Sequence, residues 1–107
     1  MDYRQLGRTD LEVSALCLGT MTWGEQNDQT QAFEQIGRAK AAGINFIDTA
    51  EMYPVPPRPE TYAATERIIG NWFRQHGDRD DWILASKVAG PGNGISHIRD
   101  GQLKHNR

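Results

Sequence analysis

The sequence predicts an α/β fold built on parallel strands, and three observations carry that reading. Short apolar runs, two of them closing on Asp48 and Lys87, alternate with stretches of helical spacing. Strand starts near residues 14, 44 and 82 are about 30 and 38 residues apart, which suits successive βαβ units of roughly 30 or more residues. No internal repeat or low-complexity tract breaks the alternation.

Taken in order, the first expected element is a hairpin. It runs from Tyr3 to Leu6, turns at Gly7-Arg8-Thr9-Asp10 and returns from Leu11 to Val13. Ser14 to Leu18 reads as a short buried strand leading into Gly19-Thr20-Met21. The first helix has the clearest boundaries. Asp28 is its N-cap, and Gln31, three residues later, completes a capping box. Ala32, Phe33, Ile36 and Ala39 or Lys40 share one face, and Gly43 supplies the left-handed stop. A buried strand, Ile44 to Asp48, follows at once. After a proline-rich loop, Tyr62, Ile68, Ile69, Trp72 and Phe73 form the apolar face of a second helix ending at Gly77. Trp82 to Lys87 is the third strand. From Val88 onward only Val88, Ala89, Ile95, Ile98 and Leu103 are apolar, with no period, so this stretch reads as a loop.

Composition narrows the function classes. The 107 residues fit one domain without room for a second. Twelve basic against fourteen acidic residues give a net charge of −2, too weak an imbalance to point to nucleic acid or a membrane surface. No apolar run approaches the roughly 18 residues of a membrane-spanning helix. MDYRQLGRTD lacks the apolar core of a secretory signal. A lone Cys17 excludes an internal disulfide scaffold and suits a reducing cytoplasm. The mean hydropathy of −0.68 is low for a chain that buries its own core, and the last twenty residues account for part of that deficit.

In parallel α/β folds, ligands gather at the carboxyl ends of the strands. That rule selects Gly19-Thr20-Met21, Asp48 with the loop behind it, and Lys87. Tyr53 lies five residues after Asp48, far enough for the loop to turn it back over the strand ends. An aspartate, a tyrosine and a lysine at one end of neighbouring strands make a sensible acid–base group. An adjacent ammonium favours the phenolate and makes Tyr53 a better proton donor, while Asp48 holds Lys87 charged. A strand-ending Asp can equally cap a loop and a strand-ending Lys can equally reach solvent, so spacing alone leaves both readings open.

Several of these motifs resemble one family. GINFIDTAEMY, from Gly43 to Tyr53, resembles the signature of the aldo-keto reductases, and Glu66-Arg67-Ile68-Ile69-Gly70 resembles its second half. ILASK is similar to the strand that carries the family's lysine. RQLGRTDLEVSALCLGTMTWGEQ is similar to its N-terminal hairpin and first strand, and EMYPVPPRPET to bacterial Tas-type members. The resemblance implies the N-terminal part of a (β/α)8 TIM barrel, about three βα units plus a leading hairpin. It also implies NADPH-dependent reduction of an aldehyde or ketone. By that resemblance Tyr53 is the proton donor, Lys87 its activator and Asp48 the partner of Lys87. Gly19, Thr20, Met21 and Asp48 lie near the nicotinamide end of NADPH.

The family's fourth catalytic residue, a histidine that ends the fourth strand, has no counterpart. His97 and His105 do not follow a strand. A (β/α)8 barrel takes about 250 residues, so the chain is expected to be residues 1–107 of a longer barrel domain. Two alternatives remain: an NADPH-binding regulatory subunit like the β subunits of potassium channels, and an inactive remnant.

Other motifs are weaker. Gly90-Pro91-Gly92-Asn93-Gly94 lacks phosphate-loop spacing and reads as a flexible loop. Pro54, Pro56, Pro57 and Pro59 fit a rigid active-site loop better than a polyproline ligand. His76, His97, His105 and Cys17 lack metal-ligand spacing. Trp23 is a candidate aromatic wall for substrate or cofactor, whereas Trp72 and Trp82 are expected in the core. Arg99, Lys104 and Arg107 are expected in a solvated loop.

Overall fold

A computed structural model of the chain describes residues 1–92 and 94–105. Asn93 of the glycine-rich run and Arg107 of the basic tail lie outside the described residues. The elements in order are β1 (Tyr3–Gln5), β2 (Glu12–Ser14), β3 (Leu18–Gly19), α1 (Gln29–Ala41), β4 (Phe46–Asp48), α2 (Ala64–His76) and β5 (Ile83–Ala85). Two 3₁₀ turns cover Arg79–Asp81 and Ile98–Gly101. β1 and β2 form an antiparallel hairpin, and β3-β4-β5 a parallel sheet in that order. Among the described residues no helix is long and apolar enough to cross a membrane.

Sheet register decides which side chains face the helices. Leu18 pairs with Ile47 and Ile47 with Leu84, and all three join the core beneath α1 and α2. That core also holds Trp23, Ala32, Ile36, Ile69, Trp72 and Trp82. Because strand side chains alternate, the next register row, Gly19, Asp48 and Ala85, faces the other way. Both chemistry-bearing strand ends therefore open away from the helical core.

The capping box on α1 forms as expected: Asp28 accepts from the Gln31 N–H at 2.8 Å, and Gln31 accepts from the Asp28 N–H at 3.0 Å. Gly43, at φ 89°, closes the helix as a Schellman turn, its N–H bonding Lys40 O at 3.0 Å and that of Ile44 bonding Ala39 O at 2.9 Å. That last bond occupies Ile44 in ending the helix, so β4 begins at Phe46 rather than Ile44.

The expected strand Ser14 to Leu18 is only Leu18–Gly19. Ser14 belongs to β2, opposite Tyr3. The Asn45 side chain accepts from the Ser14 N–H at 2.7 Å and donates to Glu12 O at 3.0 Å, holding the hairpin so that the chain bends at residues 15–17. α2 also starts later than Tyr62, because Ala63 is left-handed at φ 64° and the helix begins at Ala64.

The aperiodic tail is better packed than its pattern suggests. Ala89, Ile95, Ile98 and Leu103 bury one another and pack on Met52 and Tyr62 as a satellite core. Arg99 is exposed, as expected of a solvated loop, and also donates to Ala89 O at 2.7 Å and lies 3.5 Å from Glu51.

Candidate active site

Asp48 closes β4, and Lys87 stands two residues past the end of β5 on the same side of the sheet. The parallel pairing continues beyond the strands through Thr49 N–H to Ala85 O at 2.8 Å and Glu51 N–H to Lys87 O at 2.9 Å. These bonds bring Lys87 level with Asp48, and its ammonium donates to both carboxylate oxygens at 2.8 Å. The hydrogen bond to Asp48 raises Lys87 above the ordinary lysine range; burial opposes it, and the Asp48 charge and then Tyr53 add to the rise. Half the lysine side chain is open to solvent, so the attraction is screened.

Tyr53 stands beside this pair, with the Lys87 nitrogen 5.1 Å from its ring centroid. That is a cation–π distance. The ammonium's two short hydrogen bonds go to the Asp48 carboxylate. The loop behind Tyr53 is tied down on its far side: Val55 N–H donates to Met21 O at 2.9 Å, and Arg58 pairs with Glu25. The proline-rich segment thus lies against the loop that follows β3.

The residues expected to hold a cofactor fall into different environments. A Cβ placed on Gly19 would meet open space, and Met21 is exposed. Thr20 is buried, its hydroxyl donates to Asp48 O at 2.8 Å, and its carbonyl accepts from the Trp23 N–H at 3.1 Å. Trp23 is not an aromatic wall. It is fully buried in the core, and its indole N–H donates to Gln35 at 2.8 Å. Trp72 and Trp82 are core residues as expected. His97 sits edge-on to Tyr62 at 5.8 Å, and His105 Nε2 lies 2.9 Å from Ala89 O; neither hydrogen-bonds to Asp48, Tyr53 or Lys87.

Three residues near the site escaped the sequence reading. Cys17 lies close enough to Asp48 and Lys87 to feel both: partial burial of its sulfur, then the Asp48 charge, raise its thiol, while the Asp48 backbone and Lys87 act the other way. Its place two residues before Gly19, just ahead of β3, is the signal that could have found it. Glu66 of α2 accepts from the Ser86 hydroxyl, and Glu51 accepts from the Ala89 N–H at 3.0 Å. Neither follows from local periodicity, because each partner lies at least 20 residues away.

A parallel β/α sheet with acid–base side chains grouped at its carboxyl ends defines the opening of a (β/α)8 barrel. The chain belongs to the aldo/keto reductase family, whose model matches residues 15–106. It is 57% identical over 91 residues to protein tas of Escherichia coli (strain K12), covering 85% of this chain and 26% of that protein. It is 45% identical over 102 residues to the uncharacterized oxidoreductase YrpG of Bacillus subtilis (strain 168), covering 94% of this chain and 29% of YrpG. Among solved structures, the aldo-keto reductase AKR11C1 from Bacillus halodurans in its holo form superposes with a TM-score of 0.69 at 35% identity, over 87% of this chain and 28% of that one. The chain thus spans between a quarter and a third of the length of these relatives.

Proposed function

We propose that residues 1–107 are the N-terminal portion of a single barrel domain that reduces an aldehyde or ketone to an alcohol with NADPH, in the cytoplasm. The observation that carries this reading is the Lys87 ammonium, held 2.8 Å from both Asp48 oxygens and 5.1 Å from the Tyr53 ring centroid.

In this reading the Tyr53 hydroxyl gives its proton to the substrate's carbonyl oxygen. Lys87 stabilises the negative charge that develops on the phenol oxygen as the proton leaves. Asp48 keeps Lys87 protonated and directs it. When bound, a reduced nicotinamide supplies the hydride that adds to the carbonyl carbon. The residues present fit that end of the cofactor: Gly19 leaves open space beside the strand end, Met21 is exposed, and the Asp48 carboxylate is 41% exposed on the same side.

The test has two parts. The protein as its source produces it is weighed, with about 25–40 kDa expected for a whole barrel. It is then assayed with NADPH and a panel of aldehydes and ketones. Turnover that falls about 10²-fold or more in Tyr53→Phe supports the reading. If the natural-length protein turns over no carbonyl compound in the panel, or Tyr53→Phe leaves its turnover unchanged, the reading fails.

A further inference from the structure

We propose that Glu51, closed into a ring with Arg99, is a positioning residue that sets where Lys87 points; this rests on the reading of Lys87 and Tyr53 given above. Strand β5 ends at Ala85, and Ser86, Lys87 and Val88 are all exposed. Apolar burial therefore does not hold the backbone that carries the lysine.

Glu51 supplies the tether instead. Its N–H donates to Lys87 O at 2.9 Å, and its carboxylate accepts from the Ala89 N–H at 3.0 Å. The two bonds bracket the peptide units from Lys87 to Ala89. The direction of a side chain follows from the backbone beneath it, so this bracket aims Lys87 at Asp48 and Tyr53.

Arg99 closes the ring from the far side. Its guanidinium donates to Ala89 O at 2.7 Å and lies 3.5 Å from Glu51 Oε1. The Glu51 side chain is only 19% exposed, so this pair is screened less than one on the open surface. Arg99 and Asp100 both hold left-handed backbone, at φ 47° and 55°. That conformation is costly for non-glycine residues and persists where surrounding contacts enforce it. Here Ile98, fully buried in the satellite core, is the adjoining anchor.

The test uses the natural-length protein, with kcat for carbonyl reduction measured across pH. Glu51→Ala is expected to lower kcat about tenfold or more, because a small displacement of a catalytic group is costly. It should also move the pH limb set by Lys87 to lower pH, because a displaced Lys87 loses the Asp48 hydrogen bond that raises it. Glu51→Gln keeps an oxygen for Ala89 and is expected to stay within about threefold of the parent protein. Loss of structure alone would reduce the active fraction and leave the limb in place. Should Glu51→Ala not fold, Arg99→Met opens the same ring and is expected to shift the limb in the same direction. An unmoved limb in the folded variant overturns the proposal. Lys87→Met separates the two claims: if it abolishes turnover while the Glu51 variant keeps its limb, positioning alone fails. If Lys87→Met retains full turnover, the underlying site reading fails as well.

Discussion

Replacing Asp78 by alanine should cost the fold about 2–5 kcal/mol. The carboxylate is 7% exposed, and one oxygen accepts three hydrogen bonds, from Lys40 at 2.8 Å, Trp72 at 3.1 Å and Trp82 at 3.2 Å. Those donors come from α1, α2 and the residue just before β5, so one oxygen joins three parts of the fold. Alanine leaves two indole N–H groups in the core without an acceptor, at about 1–3 kcal/mol each. Lys40 adds little, because its side chain is 44% exposed and rehydrates. Asp78→Asn keeps an acceptor in place and should lose only about 1–2 kcal/mol.

Urea unfolding of the natural-length protein, followed by far-ultraviolet circular dichroism, reads this loss, and within these 107 residues two of the three tryptophans touch Asp78. A loss in Asp78→Ala below about 0.5 kcal/mol would refute the reasoning. The pH dependence is a second check. Burial pushes the Asp78 carboxyl up, but hydrogen bonds from Lys40, Trp72 and Trp82 together with the Lys40 charge outweigh it and hold the group below its ordinary 3.8. The folded value then lies below the unfolded one, so the stabilisation is complete above that ordinary value and drains away as pH falls through the depressed one. Asp78→Asn should flatten that acid limb.

Other substitutions probe the remaining links. Lys87→Met should lower carbonyl turnover about 10²-fold or more with the fold intact, checked by steady-state kinetics beside circular dichroism. Asp28→Ala removes the acceptor of the α1 capping box and should cost about 1 kcal/mol in urea unfolding. Gly24→Ala should destabilise by about 1–3 kcal/mol in the same assay, because Gly24 is left-handed at φ 102° and a Cβ there would stand 2.8 Å from that of Ala64.

The alternation of elements, the ends of α1 and the shared side of Asp48 and Lys87 were legible because each rests on local chemistry. A capping box spans four residues, a Schellman glycine needs only its own φ, and side-chain alternation carries Asp48 and Lys87 to one face once the strands pair in parallel. Boundaries failed where a distant group or a left-handed residue intervened. Asn45 draws Ser14 into the hairpin, and the left-handed Ala63 keeps Tyr62 out of α2. Trp23 looked available for a ligand because it follows a strand end, yet the loop folds its ring beneath α1, where Gln35 takes its N–H.

The sequence by itself thus determined the fold class and the best-marked helix, and it singled out Asp48, Tyr53 and Lys87 as the candidate acid–base group. Only the tertiary structure decided that Lys87 meets both oxygens of Asp48 beside the Tyr53 ring, and that Glu51 and Arg99 clasp Ala89. It also decided that Asp78 gathers two indoles and a lysine. Periodicity and capping report interactions within a few residues, whereas these contacts join residues up to 39 apart. They come into being only when strand register and helix packing bring distant parts of the chain together.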